Sequence, residues 1–227
     1  IIFMMADMAY LDAAIITTVR AKNSTPTTFT NLDKKEIASL DQSKDFPFLL
    51  NMTPSTVISS DAGNGVGYTG IRVRGIDPTR VNITVNGIPI NDAESQGMYW
   101  VNMPDLASST QSVQIQRGVG TSTNGAAAFG ASINIRTNDL AEEQFTQAGF
   151  GLGSFNTQRI SLIHNTGRLD NDWAFQLRGS LIQSDGFIDR ASSDLKSANL
   201  VAAKYWEKSV FKTNILLGSE RTYQAWW

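Results

Sequence analysis

Val113-Gln114-Ile115-Gln116-Arg117-Gly118-Val119-Gly120-Thr121-Ser122-Thr123-Asn124-Gly125, then Ala126 to Gly130, then Ala131-Ser132-Ile133-Asn134-Ile135-Arg136-Thr137, is the stretch on which the fold turns. Both ends alternate apolar and polar residues, the period-two pattern of strands that bury one face. The glycines and small residues between them suit backbone turns that need positive φ. Two runs upstream repeat the pattern, Ile71-Arg72-Val73-Arg74 and Val81-Asn82-Ile83-Thr84-Val85, and Asn86-Gly87 after the second is a tight-turn signal. Lys34 to Leu40 reads as a short helix capped by Asn31 or Asp33. Asp45 to Met52 reads as another, with Pro47 in its first turn and an end before Pro54. This half is expected to be a compact α+β domain with long loops.

After about residue 145 the helical signals vanish. Candidate strands recur at 145–153, 158–166, 173–184, 195–205 and 209–219, several of them separated by turn residues such as Asp170-Asn171-Asp172 and Ser184-Asp185-Gly186. In the third, Trp173, Phe175, Leu177 and Leu181 share one face while Gln176, Arg178 and Ser180 share the other. In the fifth, Phe211, Ile215 and Leu217 oppose Lys212 and Asn214. Strands of about ten residues, apolar on one face and polar on the other, are the signature of a transmembrane β-barrel, although a soluble β-sandwich alternates equally well. Aromatics near the strand ends, among them Phe155, Trp173, Tyr205, Trp206, Tyr223, Trp226 and Trp227, suit interfacial girdles.

Composition narrows the function classes. No stretch approaches the roughly 18–20 apolar residues of a transmembrane helix, and the mean hydropathy of −0.17 agrees. Any membrane contact is therefore through strands or from the surface. Nineteen basic against twenty-one acidic residues, with no basic block, speak against nucleic acid as a partner. Cysteine is absent and His164 is the only histidine, so no thiolate, disulfide or His-cluster metal site can be built, and no metal or cofactor is expected. A lone histidine gives no Ser-His-Asp site, and Asp92 and Glu94 sit in a loop without a partner pattern, so an enzyme is not expected. Gly65 to Gly70 satisfies GxGxxG, but a strand follows where a dinucleotide site needs a helix. Gly120 to Gly125 has P-loop spacing, yet Ala126-Ala127 stand where Lys and Ser/Thr would bind phosphate and metal.

Three ordered motifs carry a resemblance. Arg72-Val73-Arg74-Gly75 resembles an Arg-Gly pair ending a strand, and Val85-Asn86-Gly87-Ile88-Pro89-Ile90 resembles a Val-Asp/Asn-Gly-x-Pro turn. The opening stretch from Val113 to Thr137 is similar to the strand, Arg-Gly turn, small-residue stretch and Ile-Asn-Ile strand of the same family. That family is the TonB-dependent outer-membrane receptors. The second half resembles its Bacteroidetes-type members at Ser184-Asp185-Gly186-Phe187-Ile188-Asp189-Arg190 and Thr222-Tyr223-Gln224-Ala225-Trp226. The resemblance implies an α+β plug domain followed by antiparallel β strands of an incomplete transmembrane β-barrel, because plugged barrels have about twenty-two strands and this chain offers five. The expected division is an N-terminal segment over 1–24, the plug over 25–140 and the first barrel strands over 141–227.

The resemblance also implies roles. Arg72, Arg74 and Arg117 are expected to hold the plug against the barrel wall through bidentate bonds to carboxylates, the alternative being a solvated sheet face. Gly75, Gly87, Gly118 and Gly125 are the expected turn glycines. Apical loops would be Asp61 to Thr69 and Asn91 to Trp100, with Arg74, Arg80, Gln96, Met98, Tyr99 and Trp100 facing ligand; otherwise Tyr99 and Trp100 pack under their loop as its core. Ala14-Ile15-Ile16-Thr17-Thr18 is the candidate TonB box, able to add a strand to a periplasmic partner. The implied activity is uptake of a scarce nutrient across the outer membrane of a Gram-negative bacterium. A ferric siderophore or other metal chelate is the expected ligand; the alternatives are a glycan or peptide imported with a surface lipoprotein and, without transport, a soluble β-rich binding module. Partners would then be TonB, a small-molecule ligand and outer-membrane lipid, without nucleic acid.

Overall fold

A computed structural model describes residues 19–223 except 42, 62, 121–123 and 126. Among the described residues, twelve strands fall into three sheets. The first has the order β1 (Thr28–Leu32), β6 (Thr110–Arg117), β7 (Ala131–Thr137), β4 (Val81–Val85), β5 (Ile88–Pro89). β2 (Thr56–Ser60) and β3 (Thr69–Val73) form a separate hairpin. The stretch that opened the sequence reading is the centre of the first sheet: β6 and β7 pair antiparallel, and β7 pairs parallel with β4.

The apolar positions of those strands build the core. Val113, Ile115, Ile133, Ile135, Val81 and Ile83 are buried with Ile71 and Val73 of the hairpin and with Leu49, Leu50 and Trp100. The helix α1 (Lys34–Leu40) lays Ile37 on this core. Its cap is Asp33, whose carboxylate accepts from Lys35 and Glu36 backbone N–H groups while Glu36 reciprocates to the Asp33 N–H. Phe46–Leu50 winds as a 3₁₀ turn rather than a full helix. Asn86 and Gly87 have φ of 51° and 81°, the left-handed pair that a tight hairpin between β4 and β5 requires.

The remaining strands form one antiparallel meander, β8 (Phe145–Gly153), β9 (Thr157–Arg168), β10 (Trp173–Ser184), β11 (Ser193–Tyr205) and β12 (Val210–Thr222). One face is exposed and apolar, with Phe150, Leu152, Ile160, Leu162, Leu177, Leu181, Phe211, Ile215 and Leu217 all more than 40% exposed. The opposite face packs on the first domain. His164 pairs across from Leu177 and so lies on the outer face, where Thr146 Oγ1 bonds its Nδ1 at 2.8 Å. At one end of the meander Trp173 and Phe175 stack, with Lys204 over Trp173 and Arg168 over Tyr205. Such a rim of aromatics with cations is what a membrane interface selects. We expect Leu177→Lys in the full-length protein to cost about 2–4 kcal/mol in vesicle-based unfolding, because a lysine there faces hydrocarbon; an unchanged stability would remove the lipid face.

Candidate functional site

The two large sheets meet through buried polar groups, and one carboxylate gathers most of them. Arg178, the only charged residue of β10, is 2% exposed. Its Nη1 donates to Asp105 Oδ2 at 2.7 Å and its Nη2 to Ser197 Oγ at 2.6 Å. Ser180 Oγ bonds the same Asp105 oxygen. On the other side Arg159 Nη2, from β9, reaches Asp105 Oδ1 at 3.2 Å and Asp41 Oδ2 at 2.8 Å, and also bonds Ser108 Oγ. Asp105 itself sits in the left-handed region with φ of 51°, directly after Pro104, and Ser108 Oγ donates to it at 2.7 Å. An aspartate tolerates that backbone better than most residues. Two guanidinium groups and two hydroxyls thus converge on one buried carboxylate across the junction of the sheets. A charge pair this dry holds only because its bonds are nearly all made, so removing one partner strands the other.

The connection from β7 to β8 is clasped at almost every step. Asn138 N–H and Nδ2 donate to Ser109 O and Ser108 O. The Asp139 side chain takes Arg136 Nη2 at 2.6 Å and Lys212 Nζ at 3.1 Å. Asn165, fully buried on β9, donates to Ala141 O at 3.0 Å and Glu143 O at 2.8 Å. Nothing in the strand pattern marked Asn165 as different from its neighbours.

The polar face of the first sheet is covered too. Period-two alternation led us to expect one buried face, yet Gln114, Gln116, Asn134, Asn82 and Thr84 are all at most 3% exposed. Residues 19–21 lie across that face. Gln116 Nε2 donates to Val19 O, Gln114 bonds both the N–H and the carbonyl of Ala21, and Arg20 reaches Ser112 and Asn134 O. Burial and the neighbouring Arg136 lower the pKa of Arg20 from its ordinary value.

With this architecture in view, comparison with known proteins is decisive. A model of the TonB-dependent receptor plug domain matches residues 21–132. The chain carries a TonB-dependent receptor plug domain. Among curated proteins, the vitamin B12 transporter BtuB of Vibrio cholerae serotype O1 is 29% identical over 121 residues, covering 53% of this chain and 19% of the relative. The chain therefore spans about a fifth of the length of the curated relatives it matches. Among solved structures, the siderophore receptor PirA from Acinetobacter baumannii superposes with a TM-score of 0.68 at 17% identity, covering 86% of this chain and 32% of that one. The ferric yersiniabactin uptake receptor FyuA from Yersinia pestis gives 0.64 at 16%, covering 86% and 31%. At those identities the likeness speaks for the fold, a plug followed by antiparallel strands of a partial barrel. A plug domain is a part of a receptor and not of an enzyme.

The plug's predicted residues now have places, and one expectation needs correcting. Among the described residues the bonds of Arg72, Arg74 and Arg117, the expected wall contacts, run within the plug and do not reach strands β8–β12. Arg72 pairs with Asp77 at 3.7 Å on the surface, Arg74 Nη2 donates to Thr28 Oγ1 at 3.1 Å, and Arg117 Nη1 to Thr30 Oγ1 at 2.6 Å. The physical reason is position: Arg74 and Arg117 gather around β1, whereas strands β9 and β10 approach the segment at Asp41 and Asn102–Ser109. Toward these strands the polarity is reversed, with arginines on the wall and carboxylates on the plug. Trp100 is that correction. It is 3% exposed and stacked on Phe46 with centroids 5.2 Å apart, so it is core. Met98 packs against the same cluster. Tyr99 is 45% exposed, and Gln96 tops a turn with φ of 60°. Arg80 closes a 3₁₀ turn and its carbonyl accepts from Gly130 N–H at 2.9 Å. Gly75, Gly118 and Gly125 take φ of 74°, 105° and 77°. Loop 61–69 lies against the β10–β11 connection, where Asn64 Nδ2 donates to Ala191 O at 2.6 Å. The candidate TonB box, Ala14 to Thr18, lies outside the described residues.

Proposed function

We propose that this chain is the gate and the opening wall segment of an outer-membrane receptor that imports a scarce nutrient with energy from TonB. The observation that carries the reading is the buried Asp105–Arg178 pair, which fastens a plug domain to strands whose other face is apolar and exposed. A ferric siderophore or other metal chelate is the proposed ligand. The relatives support that class: one is named for vitamin B12 transport, and of the neighbours of like fold one is named a siderophore receptor and another a ferric yersiniabactin uptake receptor. Exposed Tyr99 and Gln96 are the side chains of loop 91–100 proposed to meet it, and Arg74 and Arg80 are the proposed cations. The segment at Ala14 to Thr18 is proposed as the TonB contact, and it joins the plug at Arg20 and Ala21, whose backbone and side-chain bonds to β6 and β7 would transmit a pull.

The test is uptake by a strain whose only copy of the full-length receptor is intact or deleted. Growth on iron held in a siderophore panel is expected to fail for at least one siderophore on deletion and to require TonB. Growth loss confined to glycans or peptides, with dependence on a surface lipoprotein, would replace the chelate by the alternative importer. In the chelate case Tyr99→Ala is expected to weaken binding about tenfold, the order of one lost aromatic contact, measured by titration of the purified full-length receptor.

A further inference from the structure

Gly179 stands in the middle of β10, where a glycine weakens a strand and so calls for a reason. Its backbone is not left-handed. The pairing beside it is regular, from Gln176 to Gln183 against β9 and along the whole strand against β11. Nor does the plug crowd it: a Cβ built there meets nothing within 4 Å, whereas one built on Gly218 would run into Pro104. A strand glycine without bulge, bend or crowding marks a place where something outside the sheet comes close to the backbone.

The register shows what surrounds it on the outer face. Gly179 lies between Leu162 of β9 and Ala198 of β11, and Ala198 lies next to Leu217 of β12. The row above, toward loop 185–192, is Ile160, Leu181, Lys196 and Ser219. Two small residues side by side thus form a floor, and the larger side chains around them enclose a groove of about 530 Å³. Lys196 is the one charged residue that lines it. Its side chain is 58% exposed and its ammonium stands 3.9 Å from Asp194, at the limit of an ion pair. Asp194 already accepts from Gln183 Nε2 at 3.2 Å and lies across from Arg221. At this end the outer face of β9–β12 therefore carries two cations, Lys196 and Arg221, against the single carboxylate of Asp194.

We propose that this groove binds one anionic phospholipid, with an acyl chain lying over Gly179 and Ala198 and the phosphate meeting the Lys196 ammonium. Neighbouring strands are about 4.8 Å apart, so a floor two residues wide suits a narrow hydrocarbon chain. A second copy of the wall would rest on Leu162 and Leu217 and leave the floor unfilled, forfeiting the contacts that a chain makes there. The charge selects the head group: an ammonium at the edge of hydrocarbon is costly unless an anion accompanies it, and a lipid phosphate is such an anion. The inference rests on the reading of the outer face of β8–β12 as lipid-facing, and it is independent of the nutrient.

The experiment is native mass spectrometry of the full-length receptor in detergent, titrated with dioleoyl phosphatidylglycerol or with dioleoyl phosphatidylcholine, which has the same chains and no net charge. The wild type is expected to retain one phosphatidylglycerol about fivefold more tightly than phosphatidylcholine, the order of one lysine at an anionic lipid. Lys196→Ala should bring phosphatidylglycerol down to the phosphatidylcholine level, and Lys196→Arg should keep the preference. Gly179→Leu fills the floor, where open space admits a side chain, and should weaken both lipids about tenfold, the order of two buried methylenes. Unfolding midpoints measured without added lipid should match the wild type in all three variants, which separates lost binding from misfolding. Equal retention of the two lipids by the wild type overturns the proposal, as does binding that neither Lys196→Ala nor Gly179→Leu changes. A receptor dimer that Gly179→Leu abolishes also overturns it, since a second copy would then be the occupant. If Leu177→Lys costs no stability and no form retains lipid, the lipid-facing reading itself has failed. If Leu177→Lys destabilises while the groove variants bind as wild type, only the groove has failed.

Discussion

Asp105→Ala in the full-length receptor is expected to destabilise the seated plug by about 3–5 kcal/mol, the cost of leaving a buried ion without its partner. Arg178 would be the stranded group: it is 2% exposed and its remaining bonds go only to neutral hydroxyls, whereas Arg159 keeps Asp41. The thermal midpoint of plug release should fall, and cells should become sensitive to antibiotics too large for ordinary pores. Replacing both partners, Asp105→Leu with Arg178→Met, is expected to recover most of the loss, because an apolar pair has no charge to strand. The double-mutant cycle isolates the coupling between the two residues. If Asp105→Ala and Arg178→Met cost the same singly and add when combined, the pair does not hold the plug.

The second large effect is at Trp100. Its indole is buried and stacked on Phe46, so Trp100→Ala should cost about 3–5 kcal/mol, as large aromatic deletions in cores do. Tyr99→Ala, on an exposed side chain, should change stability by less than about 0.5 kcal/mol. Unfolding of the full-length receptor followed by differential calorimetry checks both. A ligand-facing Trp100 would give the opposite pattern, with stability kept and affinity lost.

The alternation of the second half was almost fully legible. The expected strands 145–153 and 173–184 coincide with β8 and β10, and the split of Trp173, Phe175, Leu177 and Leu181 from Gln176, Arg178 and Ser180 is the split between outer and inner faces. Arg178 was readable as the lone charge of its strand. Its partner was not, because Asp105 sits in irregular backbone between short 3₁₀ turns, where no periodicity reports which way a side chain points. The same limit left the partners of Arg72, Arg74 and Arg117 within the plug unread. A turn motif shows that an arginine ends a strand, but which neighbour it meets depends on contacts far along the chain. Gln114 and Gln116 read as a solvated face since amides usually are, and only the strap at residues 19–21, 93 to 97 positions away in sequence, buries them.

The central claim is that residues 28–137 form a plug seated on strands β8–β12 and that uptake requires the two to part. Pro104 and Gly218 offer the direct test, since a Cβ added at Gly218 would stand 2.6 Å from the Pro104 ring, close enough for a disulfide after modest adjustment. With Pro104→Cys and Gly218→Cys in the full-length receptor, oxidation in intact membranes should cross-link the pair, stop uptake while ligand binding persists, and release uptake on reduction. Failure to cross-link would contradict the seating of the plug on this wall, and a cross-linked receptor that imports at the wild-type rate would contradict the gate.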